Sequence, residues 1–454
     1  MTGAGLDVGA GRTQRAQDAE RWLLSLELFG MRFGLDRMRR LMTALDAPQE
    51  QFAAIHVVGT NGKSSTVRMI AALLAHHGIR TGAYLSPHLV SFAERIRIDG
   101  ADISPEAFAA AVGRARRATR LVDRTLDAGD RVTQFEALTA AAYAQLADAG
   151  VEVAVVEAGL GGRWDATNVI DAAIVVLTNV GLEHTRWLGP TVADIAREKL
   201  AVVAPGATLV LGSELHPDAE AEALVVAERQ GATIVRAPAA PPAGTKLVAR
   251  GAFQRRNFAV ACAAAEAWLG RLDGGAVRAA AASTVVPGRF EVLARGGHAG
   301  GADDGVDVVL DGAHNAGGIE ALAGSLSEFL AGRPLVAVVS VLDDKDAAAM
   351  LSTLLPLCAG AVFTANNNPR ALSPATLASL AGQIVGGGWD GVTRVEADPH
   401  RAVALARRLA AELGDAAAAA GAGGTPGGVV LATGSIYLVA DLVRPAGAGR
   451  GSTL

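Results

Sequence analysis

The sequence is poor in the residues that staple small secreted folds or carry chains to membranes and nucleic acids. Its 454 residues include only 2 cysteines, Cys262 and Cys358, both in apolar surroundings. That excludes a disulfide framework and a cysteine-rich zinc site, and it fits a reducing cytoplasm. Aromatic residues make up 4%, so the core has to be built from aliphatic side chains and alanine. Basic residues number 41 against 46 acidic ones, a formal net charge of −5. No basic excess marks a nucleic-acid partner. No run reaches the roughly 18 apolar residues of a membrane span. Met1 to Gly11 lacks the basic start and apolar centre of a signal peptide. A cytoplasmic protein without a membrane partner is expected.

What is present is a large apolar content. Half of the residues are hydrophobic, and the length exceeds one ordinary core, so two or three domains are expected. Residues 1–17 read as a flexible tail. Residues 18–46 read as helical, with Trp22, Leu23, Leu26, Leu28 and Phe29 in a first segment and Leu35, Met38, Leu41 and Leu45 in a second. From residue 54 the chain alternates. Strands are expected at 54–58, 81–85, 151–156, 172–177 and 207–211, and helical patterns at 104–122, 134–149 and 191–203, with further helices to about 284. Continuous Val/Ile/Leu runs between helices indicate a parallel sheet buried on both faces. The pattern restarts after Pro287-Gly288-Arg289-Phe290, with strands expected at 306–310, 335–339, 361–364, 392–395 and 429–432. Residues 415–428 are low-complexity and read as a mobile loop. The expected domains are 18–286 and 287–454.

The most informative stretch is 54–66. An apolar strand runs into Gly59-Thr60-Asn61-Gly62-Lys63-Ser64-Ser65, and an alanine-rich helical pattern follows. At such a junction the free N–H groups and the positive end of the helix dipole make an anion site. Gly62 lets the backbone approach a phosphate chain, Lys63 adds a charge, and Ser64 or Ser65 offers a hydroxyl to Mg²⁺.

In open α/β sheets the ligand lies off the carboxyl ends of the strands. Here those ends carry Ser86-Pro87-His88, then Glu157 followed by Gly159 to Arg163, then Asn179 leading to Glu183 and His184. Mg²⁺ prefers oxygen ligands and uses one or two protein groups besides phosphate oxygens, which makes Glu157 the natural carboxylate and Ser86 a candidate hydroxyl. His184 is an unusual Mg²⁺ ligand and, read alone, is a hydrogen-bonded interior or surface histidine rather than a ligand. Glu183 and Glu198 read as solvated or helix-pairing, and Lys199 by its spacing as a surface lysine. Strand 306–310 ends in a second polar cluster, Asp311-Gly312-Ala313-His314-Asn315. Asn257 and Arg289, read alone, are structural or solvated.

Together these stretches resemble the folylpolyglutamate synthase / dihydrofolate synthase family of the Mur ligase superfamily. The resemblance runs through Gly59–Lys63, Ser86–Leu89, Glu94–Ile96, Thr133–Glu136, Gly159–Arg163 with Asp165–Asn168, His184, Leu188-Gly189, Glu198-Lys199, Pro287–Glu291, Asp311–Asn315, Asp344–Asp346 and Thr433–Ser435. It implies an α/β fold of two domains: an N-terminal P-loop-type, mostly parallel sheet and a C-terminal Rossmann-like doubly wound sheet. It implies an ATP- and Mg²⁺-dependent amide ligase that adds L-glutamate to a pterin carboxylate through an acyl phosphate. The substrate would be dihydropteroate, a reduced folate, or both. By position, Thr60, Asn61, Gly62, Lys63, Ser64 and Ser65 would hold the phosphates, and Asn257, Arg289 and Asp311 would contact ATP. Ser86, Glu157 and His184 would ligate Mg²⁺. Thr133, Gln134, Phe135, Glu136, Trp164, Asp165 and Ala166 would line the pterin site, and His314 the glutamate or acyl-phosphate side. Lys63, Lys199 and His314 would be the catalytic set, Lys199 as a carboxylated lysine that helps a second Mg²⁺. A monomer is expected.

Three positions depart from the family pattern. Ser64 stands where the loop usually has glycine, Trp164 where leucine is common, and Leu200-Ala201-Val202 where Ala-Gly-Ile is usual. Peptidoglycan Mur ligases and cyanophycin-type ligases carry additional upstream domains, for which the 58 residues before Gly59 are too few. A non-catalytic nucleotide-binding module is expected to lack Lys63, Glu157 or His184, and all three are present.

Overall fold

The computed structural model describes residues 5–27, 34–293, 305–385, 389–419 and 427–444. The chain divides into two compact units, Met1–Val248 with Arg256–Thr284, and Ala249–Arg255 with Val285–Thr453. Each is an α/β unit around its own sheet.

The first sheet is built from β1 (Ala53–Val58), β2 (Thr81–Tyr84), β3 (Ile96–Ile98), β4 (Ala101–Asp102), β5 (Val153–Glu157), β6 (Ala172–Leu177), β7 (Thr208–Leu211) and β8 (Thr233–Arg236). Their order is β4-β3-β2-β5-β1-β6-β7-β8. The six strands from β2 to β8 pair in parallel, and the β3–β4 hairpin continues antiparallel from β2. β1 is central. From it the chain goes to β2 on one side and, after β5, crosses to β6 on the other. The loop after β1 therefore leaves the sheet where its winding reverses, the place where open α/β sheets bind ligands.

Both faces of β1 and β5 are covered, and every residue of Ala54–Val58 and Val153–Glu157 is buried. This is why they read as largely apolar runs, interrupted by His56 in β1 and closed by Glu157 in β5, rather than as alternating ones. Each fully buried Val, Ile or Leu of this set contributes roughly 1.5–3 kcal/mol of transfer free energy.

The second sheet is built from β9 (Glu291–Val292), β10 (Asp307–Leu310), β11 (Leu335–Val339), β12 (Gly360–Phe363), β13 (Val392–Val395) and β14 (Val429–Thr433), in the order β13-β12-β11-β14-β10-β9. All pairs are parallel except β9 with β10.

Several local expectations are corrected. A helix, Gly5–Leu24, runs through most of the stretch expected as a tail. Ala19 and Leu23 are buried in the first core, and the Arg116 guanidinium lies 5.9 Å from the Trp22 ring. The fifth strand begins at Val153 rather than 151, and β3, β4 and β8 were not expected as strands. The helix Pro399–Ala419 extends through the first residues of the expected loop 415–428. Leu28 and Phe29, and the Gly-rich residues 296–304, lie outside the described residues, as do residues 420–426. Among the described residues, no helix is long and apolar enough to cross a membrane.

Candidate active site

The helix Lys63–His76 starts directly after the loop that follows β1. Its first turn has no side-chain cap, so its N–H groups face outward from Gly62, the residue before it. Gly62 has φ +80°, and a Cβ there would meet Asn257 Oδ1 at 2.6 Å. Glycine is required on both counts, backbone conformation and space. Asn257 thus packs against the loop.

The loop is clamped from β6. Thr178 Oγ1 donates to Asn61 O (2.7 Å), Asn61 N donates to Asn179 Oδ1 (2.8 Å), and Thr60 N donates to Asn179 O (2.9 Å). Thr178 and Asn179, at the end of β6, are loop-shaping residues, a role that their place at a strand end did not by itself reveal.

Lys63 folds back and donates to Gly59 O (3.1 Å) and Thr60 O (3.1 Å). Lys199 donates to the same Gly59 O (2.8 Å). Lys199 is therefore not a surface lysine: it is 5% exposed. Burial, followed by repulsion from Lys63, brings its amine down to about 7. Gly162 comes close to the end of the Lys199 helix. A Cβ there would lie 2.6 Å from Lys199 O and 2.8 Å from Glu198 O. Glu198 itself pairs with Arg163 (2.8 Å).

Glu157 ends β5 beside β1 and is 2% exposed. Ser64 Oγ donates to its Oε1 (2.8 Å), and Ser86 N donates to its Oε2 (3.0 Å). Ser64, the residue that departs from the family glycine, thus puts a hydroxyl on this carboxylate. The Glu157 carboxylate and the Ser64 hydroxyl are oxygen groups of the type Mg²⁺ takes, and Ser86 holds that carboxylate through its backbone N–H. Ser65 is buried in the first turn. His184 lies beyond β6 on an exposed turn, at φ +52°, with Nε2 4.0 Å from Glu183 Oε1.

The residues expected around a pterin divide in two. Thr133 and Glu136 form a reciprocal capping box on the helix Gln134–Asp148, and Glu136 also accepts from Arg37 Nε (3.0 Å). Gln134 Nε2 donates to Leu23 O (2.9 Å). These three polar side chains are engaged in local structure. Phe135 is half-buried, stacked on Tyr84 with ring centroids 6.2 Å apart. Trp164 is 47% exposed, whereas Asp165 and Ala166 are buried. Asp165 Oδ2 accepts from Leu160 N (2.7 Å), and its Oδ1 accepts from Thr167 N (3.0 Å) and the Thr167 hydroxyl. Burial raises its carboxyl from the usual range, and those donors oppose the shift.

In the second unit the polar cluster follows β10. Asp311 accepts from Phe290 N (2.8 Å) and Ala313 N (2.7 Å). Burial raises its carboxyl, and the neighbouring Arg289 charge opposes that. Arg289 donates to Gly288 O (3.0 Å), and His314 Nδ1 sits 2.8 Å from Gly312 O. Asn315 caps the next helix through Gly318 N (2.7 Å).

Residues 57–211 match the Mur ligase middle domain, and residues 288–423 the Mur ligase glutamate ligase domain. The dihydrofolate synthase/folylpolyglutamate synthase of Mycobacterium tuberculosis is 37% identical over 389 residues, covering 78% of this chain and 78% of that protein. This chain belongs to the folylpolyglutamate synthase / dihydrofolate synthase family. It is an ATP-dependent ligase. The Bacillus subtilis family member is 32% identical over 384 residues, covering 78% of this chain and 86% of that protein. Among solved structures, Mycobacterium tuberculosis folylpolyglutamate synthase complexed with ADP superposes with a TM-score of 0.83 at 34% identity, covering 94% of this chain and 97% of that one. E. coli FolC in complex with DHPP and ADP gives 0.76 at 26% identity, covering 94% and 96%.

Proposed function

We propose that this family member joins L-glutamate to the carboxyl group of a pterin substrate at the expense of ATP, taking dihydropteroate, a reduced folate, or both. The observation that carries this reading is the meeting of Glu157, Ser64 and Ser86 beside the phosphate loop, with Lys63 and Lys199 both on Gly59 O.

The chemistry has two steps. A substrate carboxylate oxygen attacks the γ-phosphorus and ADP leaves. The glutamate amine nitrogen then attacks the acyl carbon and phosphate leaves. A carboxylate is a poor acyl donor, and its charge repels the triphosphate. Thr60 to Ser65 cradle the phosphates, with Lys63 offsetting the charge on the transferred group. Asn257, Arg289 and Asp311 orient the nucleotide. Mg²⁺ would be held by Ser86, Glu157 and His184, and it supplies charge neutralisation on the phosphate oxygens. Phe135, Trp164, Asp165 and Ala166 shape the pterin site together with the capped helix start at Thr133, Gln134 and Glu136. His314 serves the glutamate or acyl-phosphate side.

Lys199 is the residue on which the proposed carboxylation would fall. An amine near 7 is substantially neutral at physiological pH, so its nitrogen can bond to CO₂ and lose a proton. The resulting carbamate is negative and would turn the repulsion with Lys63 into attraction, while offering oxygens to a second Mg²⁺. The test of the function is direct. Purified protein is given ATP, Mg²⁺ and glutamate with dihydropteroate or tetrahydrofolate in separate reactions, and phosphate is measured. Release should require glutamate and at least one pterin. Release that ignores both pterins would overturn the reading.

A further inference from the structure

β1 carries one polar side chain in its interior, His56, and it is completely buried. Its Nε2 lies 2.9 Å from Thr167 Oγ1, and its Nδ1 has no hydrogen-bond partner. A buried imidazole with one unsatisfied nitrogen is costly, and an aliphatic residue would fill the same place in a strand without that cost. Burial holds the ring neutral, with its pKa lowered to about 3.

The tautomer follows from the neighbours. The Asp165 carboxylate takes N–H bonds from Leu160 and Thr167, and the one hydroxyl proton of Thr167 goes to Asp165 Oδ1. Thr167 Oγ1 is then left as an acceptor, so His56 donates from Nε2 and Nδ1 carries the lone pair. Thr167 is also held through its carbonyl by the Tyr143 hydroxyl (2.9 Å). A chain of donors thus runs from the strand beneath the phosphate loop, through Thr167, to the carboxylate that shapes the Gly159–Arg163 loop.

We propose that His56 is a positioning residue: its imidazole N–H, acting through the Thr167 hydroxyl, fixes the Asp165 carboxylate and with it the substrate-side loop, so that it governs affinity for the pterin acid and not for ATP. This rests on the reading of Trp164, Asp165 and Ala166 as the pterin side of the site.

The test uses the full chain and compares His56→Leu, His56→Gln, Thr167→Val, the His56→Leu/Thr167→Val pair and Trp164→Ala. KM for the pterin acid, KM for ATP, kcat and Tm are measured for each. His56→Leu and Thr167→Val should each raise KM for the pterin acid about tenfold, the scale of one hydrogen bond into a charged group. KM for ATP should stay within about twofold, and the pair should be no worse than either single change, as expected for one linked network. His56→Gln, which keeps an N–H donor, should restore most of the loss. The proposal is overturned if His56→Leu shifts only Tm, if both KM values move together, or if Gln is no better than Leu. If His56→Leu does not fold, Thr167→Val reads the same link. If Trp164→Ala leaves KM for the pterin acid unchanged, the assignment of the loop fails; if it raises KM while Thr167→Val does not, the role of His56 fails.

Discussion

The phosphate loop and the start of the helix Gln134–Asp148 are both dense in polar residues, yet they use them in opposite ways. At Thr133–Glu136 the polar groups answer one another. Thr133 and Glu136 close a capping box, Arg37 neutralises Glu136, and Gln134 ties down Leu23 O. At Gly59–Ser65 the side chains of Lys63 and Lys199 converge on one backbone carbonyl, and like charges are brought together. The first arrangement is stable by itself. The second leaves the Lys63 ammonium, the buried Lys199 amine and an uncapped helix start, a setting suited to an anion. Residue type alone does not separate a binding site from a structural one. What separates them is whether the hydrogen-bonding and charge capacity is consumed locally.

The strongest way to break this comparison is Glu136→Ala. Removing one partner of a nearly buried ion pair costs about 3–5 kcal/mol. Chemical denaturation should show that loss, while kcat of the folded fraction stays near wild type. A large kcat loss at unchanged stability would mean that Glu136 acts on the substrate directly and not by holding the helix start. Lys63→Ala should do the reverse, lowering kcat about 10²–10³-fold, the scale for removing one preorganised charge stabiliser. Its circular dichroism and Tm should match wild type, and normal turnover would remove Lys63 from the mechanism.

Glu157→Gln keeps the shape but gives up the charge, so the Mg²⁺ concentration for half-maximal activity should rise about tenfold. An unchanged Mg²⁺ titration would reduce Glu157 to a structural role, such as holding Ser64 and Ser86. The smallest effect is expected of Lys199→Met in CO₂-free buffer. In the folded chain its pKa of about 7 lies below the 10.5 of an ordinary lysine. Between these values the unfolded chain binds a proton that the folded chain lacks, so wild-type stability rises with pH across that window. Below pH 7 the cost of the buried amine is fully present. Lys199→Met should therefore raise Tm by a few degrees near pH 6, and the gap should close as pH approaches 10. A gap independent of pH would contradict a depressed lysine.

Much of this was legible in order along the chain. The strand, loop and helix at 53–76, and the glycine at Gly62, follow from local rules of burial and backbone conformation. The T-x-x-E spacing of Thr133 to Glu136 is itself a capping-box pattern, a signal that competed with the expectation of a ligand pocket. The part of the helix Gly5–Leu24 before residue 18 was missed because it is rich in small and polar residues and carries no clear apolar stripe. β8 was missed because it is an edge strand without a fully buried residue.

The sequence by itself determined which strands are buried on both faces, where the anion-binding turn lies, and which polar residues end the strands. Those properties depend on neighbours within a few positions. Tertiary structure alone decided that Glu157 joins Ser64 to Ser86, that Lys199 is buried against Gly59, and that His56 faces Thr167. Each of these pairs brings together residues far apart in the chain, because the parallel order sets β1 between β5 and β6 and packs the loops that follow them against one another. The spacing of residues cannot report that order, and it is the order that turns a buried lysine into a neutral amine and a core histidine into a donor.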